Sequence, residues 1–173
     1  MNRIDMSKKV VLYPEVPRGI RLGKYRGMDV YLDMDEDFEF EVGRFVAYGK
    51  EVKRGKRVLR QPVMEVSIGK EEFRNAYHID IARTDYRYQG FGLMAGLYRY
   101  VMKKTGMVLQ AGHMQSQGGR NLWLKLAKLP DVELFIAKKN KKELIPIEVN
   151  EDDDELVGVY DKPYNVHVVA MVA

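Results

Sequence analysis

Between residues 28 and 82 the chain alternates apolar and polar side chains, which is the pattern of strands that bury one face. Four stretches show it: MDVYLDMD, FEFEVGRFVAYG, RVLRQPVMEVSIG and AYHIDIA. Short polar segments separate them, so consecutive strands can pair directly. The pattern predicts four strands in series that form an antiparallel meander.

From residue 93 the apolar spacing changes to that of a helix. Leu93, Leu97, Tyr98 and Val101 recur on one helical face. Two lysines and then Gly106 follow, a usual arrangement at the end of a helix. The pattern predicts a helix that begins near Leu93 and ends before Gly106.

The rest of the chain predicts shorter strands and a second helix. MVLQA has the length of a buried strand, and RNLWLKLAKL has helical spacing with Pro130 beyond its end. VELFIAKK, ELIPIEVN and YNVHVVAMVA read as strands, and Pro146 places the second of these at a sheet edge or a bulge. The predicted order is β-β-β-β-α-β-α-β-β-β, a mixed sheet with helices packed on it, in which the first helix connects two strands as in a βαβ unit.

Composition limits the class of protein. A chain of 173 residues that is 46% apolar can bury one core, so we expect a single domain over residues 1–173. It has no cysteine, which excludes disulfides and thiolate chemistry, and its three histidines do not suggest a metal site. No apolar run approaches the roughly 20 residues that span a bilayer. We expect a cytoplasmic protein without a membrane partner.

The net charge is +4, and the cations cluster in KEVKRGKRVLR, residues 50 to 60, where six basic side chains accompany one acid. Such a cluster can contact nucleic-acid phosphates. Gly49 and Gly55 mark turns between strand-like flanks, so a solvated hairpin tip is the preferred interpretation and nucleic acid the less favoured partner. The acidic run at 150 to 155 is interpreted as a solvated loop.

Gly90 and Gly92 stand at the start of the first predicted helix. The first N–H groups of a helix lack intrahelical partners and, with the helix dipole, attract anions. Glycine lets a phosphate approach the backbone, and Arg87 and Gln89 could add side-chain donors. The G-x-G-x-x-x-G spacing does not match a dinucleotide-binding turn, and the lysine of the nucleotide-triphosphate loop is missing. The stretch predicts a diphosphate site of another kind.

The stretch RYQGFG, residues 87 to 92, has the pattern R-x-x-G-x-G. It resembles the coenzyme A signature [QR]-x-x-G-x-[GA] of the GNAT superfamily of acyl-CoA-dependent N-acyltransferases. The resemblance covers residues 76 to 129, and VLQAGHMQSQGGRNLWLKLAK is especially similar to GNAT-like proteins encoded by bacteriophages. It implies a GNAT-like α/β (α+β) fold, with helices on a mixed, mostly antiparallel central sheet whose central strands splay apart at a coenzyme A cleft.

The resemblance also implies an activity, an N-acetyltransferase that moves an acetyl group from acetyl-CoA to an amine of a small molecule or a protein. The protein would act in the cytoplasm, that of the host if phage-encoded, as a monomer or homodimer. In such proteins one strand edge pairs with the pantetheine arm and the glycine turn binds the diphosphate. The implied cofactor-binding residues are Ile81, Ala82 and Arg83 for the arm, and Arg87, Gln89, Gly90, Phe91, Gly92 and Leu93 for the diphosphate.

The sequence departs from the family where the leaving thiolate is protonated. Many members place a tyrosine there, and the aligned residue is Trp123, whose indole N–H is not a useful acid. Proton transfer would then proceed through Ser116, through water, or through Tyr98 in another register. Catalysis could also be absent, which leaves an inactive phage GNAT-like protein that acts as a virion or host-interaction component.

The candidate general bases are carboxylates on the strands that would face the cleft: Asp80, Glu65 and Glu41. His78 shares a face of its strand with Asp80, although a half-buried sheet histidine beside a solvated carboxylate is the preferred interpretation of that pair. We expect the acceptor site around residues 14 to 30 and 150 to 165. PEVPRGIRLGKYRG, with its prolines and glycines, lacks the two helices usual for the family at that place.

Overall fold

The computed structural model describes residues 9–35, 42–71, 75–112, 117–138, 144–147 and 166–173. Within them, nine strands form one sheet that carries two α-helices and a short 3-10 turn. The strands are β1 (Ile20–Tyr25), β2 (Met28–Asp35), β3 (Val42–Arg54), β4 (Arg57–Lys70), β5 (Ala76–Thr84), β6 (Val108–Gln110), β7 (Val132–Lys138), β8 (Leu144–Pro146) and β9 (Val166–Val172). The helices are α1 (Leu93–Thr105) and α2 (Gln117–Ala127), and the 3-10 turn is Tyr86–Tyr88.

The spatial order of the strands is β1-β2-β3-β4-β5-β6-β9-β7-β8. Strands β2 to β5 pair antiparallel in sequence, which confirms the predicted meander. β5 and β6 pair in parallel, with α1 between them, which confirms the βαβ unit. β8, which ends at Pro146, lies at the sheet edge, as predicted for a strand that contains proline.

The predicted GNAT-like α/β (α+β) fold is wrong. The described residues are dominated by the nine-stranded sheet, and only two α-helices pack on it, whereas that fold is rich in helices. Part of the reason lies at residues 14 to 27, where prolines and glycines oppose a helix. This segment instead contains β1, an edge strand that the sequence analysis did not predict.

The β1–β2 hairpin closes with a two-residue turn at Arg26 and Gly27, which have φ values of 47° and 80°. Positive φ at both central residues is the geometry of a type I′ turn, whose twist matches that of paired strands. The signal in the sequence was therefore the glycine directly before the alternating stretch at Met28.

The hydrophobic core lies between one face of the sheet and the two helices. Tyr98 of α1 is 1% exposed and contacts Phe45 of β3 and Trp123 of α2 edge-on, with ring centroids 5.9 and 6.2 Å apart. Offset and edge-on ring contacts add to the gain from burial. The aromatic contacts therefore join the sheet and both helices. Other core residues are Val30, Met64, Val66, Ile68, Leu97, Val101, Leu109 and Leu126.

The opposite face of the meander carries ion pairs. Asp29 accepts hydrogen bonds from Arg21 at 2.6 Å and Arg60 at 2.7 Å. The Arg21 guanidinium, followed by that of Arg60, holds the pKa of the Asp29 carboxyl below its ordinary value even though burial acts in the other direction. This face therefore carries charged pairs beside buried residues such as Val46 and Tyr48, in contrast to the apolar face beneath the helices. Neither helix of the described part of the chain is long and apolar enough to cross a membrane.

Candidate functional site

A cleft of about 480 Å³ is lined by β5, the turn before α1, α1 itself and α2. It exists because β6 pairs with β5 only from Ala76 to His78. From Ile79 to Thr84, no strand of the described chain lies along that edge of β5. Gly112, just after β6, passes so close to Ile79 that a Cβ there would lie 2.4 Å from the Ile79 carbonyl oxygen. The free edge thus opens directly into the cleft.

The glycine turn borders this cleft. Gly90 and Gly92 have φ values of 85° and 67°, in the left-handed region that favours glycine. A Cβ built on either residue meets no atom within 4 Å, so the space above the turn is open. Gly92 is also the N-cap of α1 and provides no side-chain cap. The first residues of α1 therefore border open space at the cleft, as an anion site at a helix N-terminus requires.

The structure places Arg87 against a buried carboxylate. Its Nε and Nη2 donate to Asp85 at 2.8 and 3.1 Å, and its backbone N–H donates to the same carboxylate at 3.1 Å. Asp85 is fully buried and also accepts from the backbone N–H of Leu12 at 3.1 Å. These hydrogen bonds, above all that of the Arg87 side chain, lower the pKa of Asp85 to about 2. Asp85 therefore ties the turn to the N-terminal segment, and Arg87 balances its charge.

Some of the predicted cofactor-binding residues line the cleft and others do not. The side chain of Gln89 donates to the Thr84 carbonyl oxygen at 3.0 Å, which fixes the turn against the end of β5. Ile81, Arg87 and Phe91 lie outside the lining. The predicted residues within the lining are Ala82, Arg83, Gln89, Gly90, Gly92 and Leu93.

Asp80 occupies an irregular position in β5. Ser67 pairs with Ile81 and Ile68 with Ile79, so Asp80 is an extra residue of a β-bulge. It lines the cleft and also a second cavity of about 650 Å³. The second cavity lies on the polar side of the sheet, where Arg44 also borders it. Asp80 is thus an exposed acidic residue that borders both cavities.

The other candidate bases have different surroundings. Glu65 lies on the polar face, where its carboxylate pairs with Arg83 and lies 3.6 Å from Arg44. His78 lines the second cavity together with Asp80, and its Nδ1 lies 2.9 Å from Glu71 Oε1 without the alignment of a hydrogen bond. Of the three carboxylates predicted as bases, only Asp80 borders the cleft in the described structure. Ser116 and Glu41 lie outside the described residues.

Tyr98 and Trp123 close the cleft on its core side. Both rings are almost fully buried, at 1% and 2% exposure. Burial raises the pKa of the Tyr98 phenol well above its ordinary value, so the group stays protonated. Trp123 belongs to the core, and the open volume of the cleft remains beside it.

The sequence analysis missed two polar residues of α2 that line the cleft, Asn121 and Lys125. They are four positions apart and share a helix face with Gly118 and Leu122, the other α2 positions of that spacing. The repeated spacing was the available signal. Lys125 is exposed and brings a positive charge to the cleft.

Comparisons with known proteins do not assign the chain to a family: no family model matches it, and no curated protein and no solved structure matches it. The resemblance to the acyltransferase superfamily therefore stays a prediction that rests on the motif at residues 87 to 92 and its surroundings.

Proposed function

We propose that the protein is an acyl-CoA-dependent N-acetyltransferase, which moves an acetyl group from acetyl-CoA to an amine. The observation that carries the proposal is the cleft, in which a free strand edge and an uncapped helix N-terminus face the same space. A strand edge can pair with the amides of an extended ligand, and a helix N-terminus can bind a phosphate. Coenzyme A has both parts.

The residues present fit that ligand. The backbone of Ala82 and Arg83 belongs to the unpaired edge, where it would hold the pantetheine arm. Gly90 and Gly92 leave open the space that a side chain would fill, so a diphosphate can approach the first N–H groups of α1. Lys125 adds a cation at the cleft. Arg87, whose charge is balanced by Asp85, would act by fixing the turn.

In the proposed reaction, side chains of the protein transfer protons. Bound acetyl-CoA would supply an acyl group activated as a thioester. The acceptor amine must be neutral to attack, and Asp80, which borders both cavities, is placed to accept its proton. Tyr98, which stays protonated and also lines the cleft, would serve as a hydrogen-bond donor. The amine would enter from the second cavity, which Asp80 also borders.

The alternative is a catalytically inactive phage protein that acts as a virion or host-interaction component. That function predicts a cleft obstructed by Trp123 or Tyr88. Trp123 is 2% exposed, within the core, and the cleft keeps a volume of about 480 Å³. This observation favours the enzyme.

The first test measures the melting temperature with and without acetyl-CoA. A ligand at 100 times its Kd stabilises the folded state by about 2.7 kcal/mol, which gives a clear rise in Tm. Dephospho-CoA and NAD serve as comparison ligands. No rise at millimolar acetyl-CoA would contradict the proposal.

The second test separates binding from turnover. Release of the coenzyme A thiol is measured with a panel of small amines and amine-bearing peptides. Asp80→Asn is expected to lower the rate by about 10²–10⁴-fold while the acetyl-CoA-dependent rise in Tm persists. A rise in Tm without turnover on any amine would support the inactive alternative.

A further inference from the structure

The longest hairpin of the sheet projects beyond its neighbours. β2 pairs with β3 up to Tyr48, and β5 pairs with β4 up to Met64. Beyond these points β3 and β4 continue from the pair Glu51–Arg60 to the pair Arg54–Arg57, where no other strand of the described chain lies beside them. We call residues 50–60 the ribbon. One isolated bridge to the N-terminal segment, Glu15 to Arg60, supports its base.

The ribbon carries exposed cations that lack acidic partners. The charge of Arg60, at the base, is balanced by Asp29 at 2.7 Å. In the part of the chain that the structure describes, no carboxylate lies within ion-pair distance of the ribbon's other five cations. These five are Lys50, Lys53, Arg54, Lys56 and Arg57, all exposed.

Several cations elsewhere in the fold pair with carboxylates. On the sheet, Arg21 and Arg44 each pair with an acid, and on α1 both Arg99 and Lys103 pair with Asp131. The ribbon differs in that it groups five cations without a carboxylate partner among the described residues, and its register places Arg54 directly opposite Arg57. Like charges directly opposite each other destabilise a strand pair. An external anion would therefore relieve the repulsion between these cations.

We propose that the ribbon binds duplex DNA through its phosphate backbone, without sequence preference. This function is independent of the proposed acyl transfer, since the ribbon and the cleft share no residue. The major groove of B-form DNA is about 12 Å wide and admits a two-stranded β-ribbon. Cations on both strands and at the turn would then meet phosphates on either side of the groove.

The residues of the ribbon favour duplex DNA over other polyanions. The ribbon has no aromatic side chain, so it offers single strands no stacking platform. The major groove of A-form RNA is too narrow and deep to admit it. Its turn, Arg54-Gly55-Lys56-Arg57, has no apolar residue to insert into a bilayer.

The experiment measures binding of the full chain to a mixed-sequence 20-base-pair DNA duplex by fluorescence anisotropy over a range of salt concentrations. Five phosphate contacts would give a slope of log K against log salt of about −4.5. The double variant Arg54→Gln with Arg57→Gln is expected to reduce that slope by about 2. The matched control, Lys104→Gln with Lys128→Gln, removes the same charge from exposed positions elsewhere and should leave the slope unchanged.

Three results would overturn the proposal: no duplex binding at 50 mM salt, an equal loss in the control, or tighter binding to single-stranded DNA, duplex RNA or phosphatidylserine vesicles than to duplex DNA. A melting curve of each variant accompanies the titration. If the arginine variant melts early, Lys53→Gln with Lys56→Gln replaces it on the same ribbon. An unchanged slope in that folded variant would likewise count against the ribbon.

Discussion

At the scale of single residues, Asp85 shows how one buried charge can organise a site. Its carboxylate accepts hydrogen bonds from the Arg87 side chain, from the Arg87 backbone and from the Leu12 backbone. A buried carboxylate is stable only when such partners replace water. The glycine turn and the N-terminal segment are therefore held by the same side chain.

We expect Asp85 to make the free energy of unfolding depend on pH at the acidic end. Its pKa is about 2 in the folded protein and near 3.8 in the unfolded chain. Because the unfolded chain binds the proton more readily, the stabilisation is complete above about pH 5 and is lost as the pH falls toward 2. The loss is about 2 kcal/mol by linkage.

Urea unfolding at several pH values tests this prediction. The stability difference between the native protein and Asp85→Asn should shrink as the pH falls from 5 to 3. Arg87→Gln removes the main cause of the lowered pKa and should flatten the same dependence. A difference that stays constant over this range would show that Asp85 is not the responsible group.

At the scale of elements, α1 begins and ends at a glycine in the left-handed region. Gly92 has φ 67° and is the N-cap, while Gly106 has φ 69° and is the C-cap, where its N–H donates to Met102 at 2.8 Å. Neither position has an atom within 4 Å of an added Cβ. The two ends differ in one respect, because only Gly92 borders the cleft.

This symmetry provides a matched pair of variants. Gly92→Ala and Gly106→Ala should each lower the free energy of unfolding by about 1–2 kcal/mol, the cost of a left-handed alanine. Only Gly92→Ala should also reduce the rise in Tm that acetyl-CoA produces, because its methyl group would occupy the space proposed for the diphosphate. Equal rises in Tm in the two variants would argue against that diphosphate site.

At the scale of the whole molecule, the sheet is covered by helices on one face and carries ion pairs on the other. α2 contributes the buried residues Trp123 and Leu126 to the core. α1 is further attached to the loop before β7, since Arg99 and Lys103 both pair with Asp131 at 2.5 Å. The cleft, which both helices and β5 line, therefore depends on how the two helices pack on the sheet.

Leu126→Ala tests the contribution of α2. Leu126 has no exposed surface, so its truncation should lower the free energy of unfolding by about 2–5 kcal/mol. Ile20→Ala, at a position that is 71% exposed on the edge strand β1, is the control and should change stability by less than about 0.5 kcal/mol. Similar losses in urea unfolding would mean that α2 is not part of the main core.

Local patterns allowed much of the fold to be predicted. Alternation located the meander, and helical spacing with Gly106 located α1, because burial of one face imposes those periods directly on the sequence. The fold family could not be predicted in this way. A six-residue motif is informative about one turn only. The number of helices depends on other segments, such as residues 14 to 27, which contain the first strand of the β1–β2 hairpin and no helix.

The candidate site was predictable in part for the same reason. Gly90 and Gly92 were found because the need for positive φ selects glycine at a turn. The role of Arg87 could not be predicted. Its partner Asp85 is important because it is buried and accepts a hydrogen bond from Leu12, which lies 73 positions away in the sequence. Contacts over such distances leave no periodic signal in a single sequence.

By itself, the sequence determined where the meander β2–β5, the two helices and the glycine turn lie, since these follow from local backbone geometry and from the period of apolar residues, but it did not reveal β1. Only the tertiary structure decided that Asp80 borders two cavities and that the cations of the ribbon extend past the sheet. Both depend on register: a bulge opposite Ser67 and Ile68 in one case, and the unequal lengths of paired strands in the other. Register is set by packing across the whole sheet, which no short stretch of sequence contains.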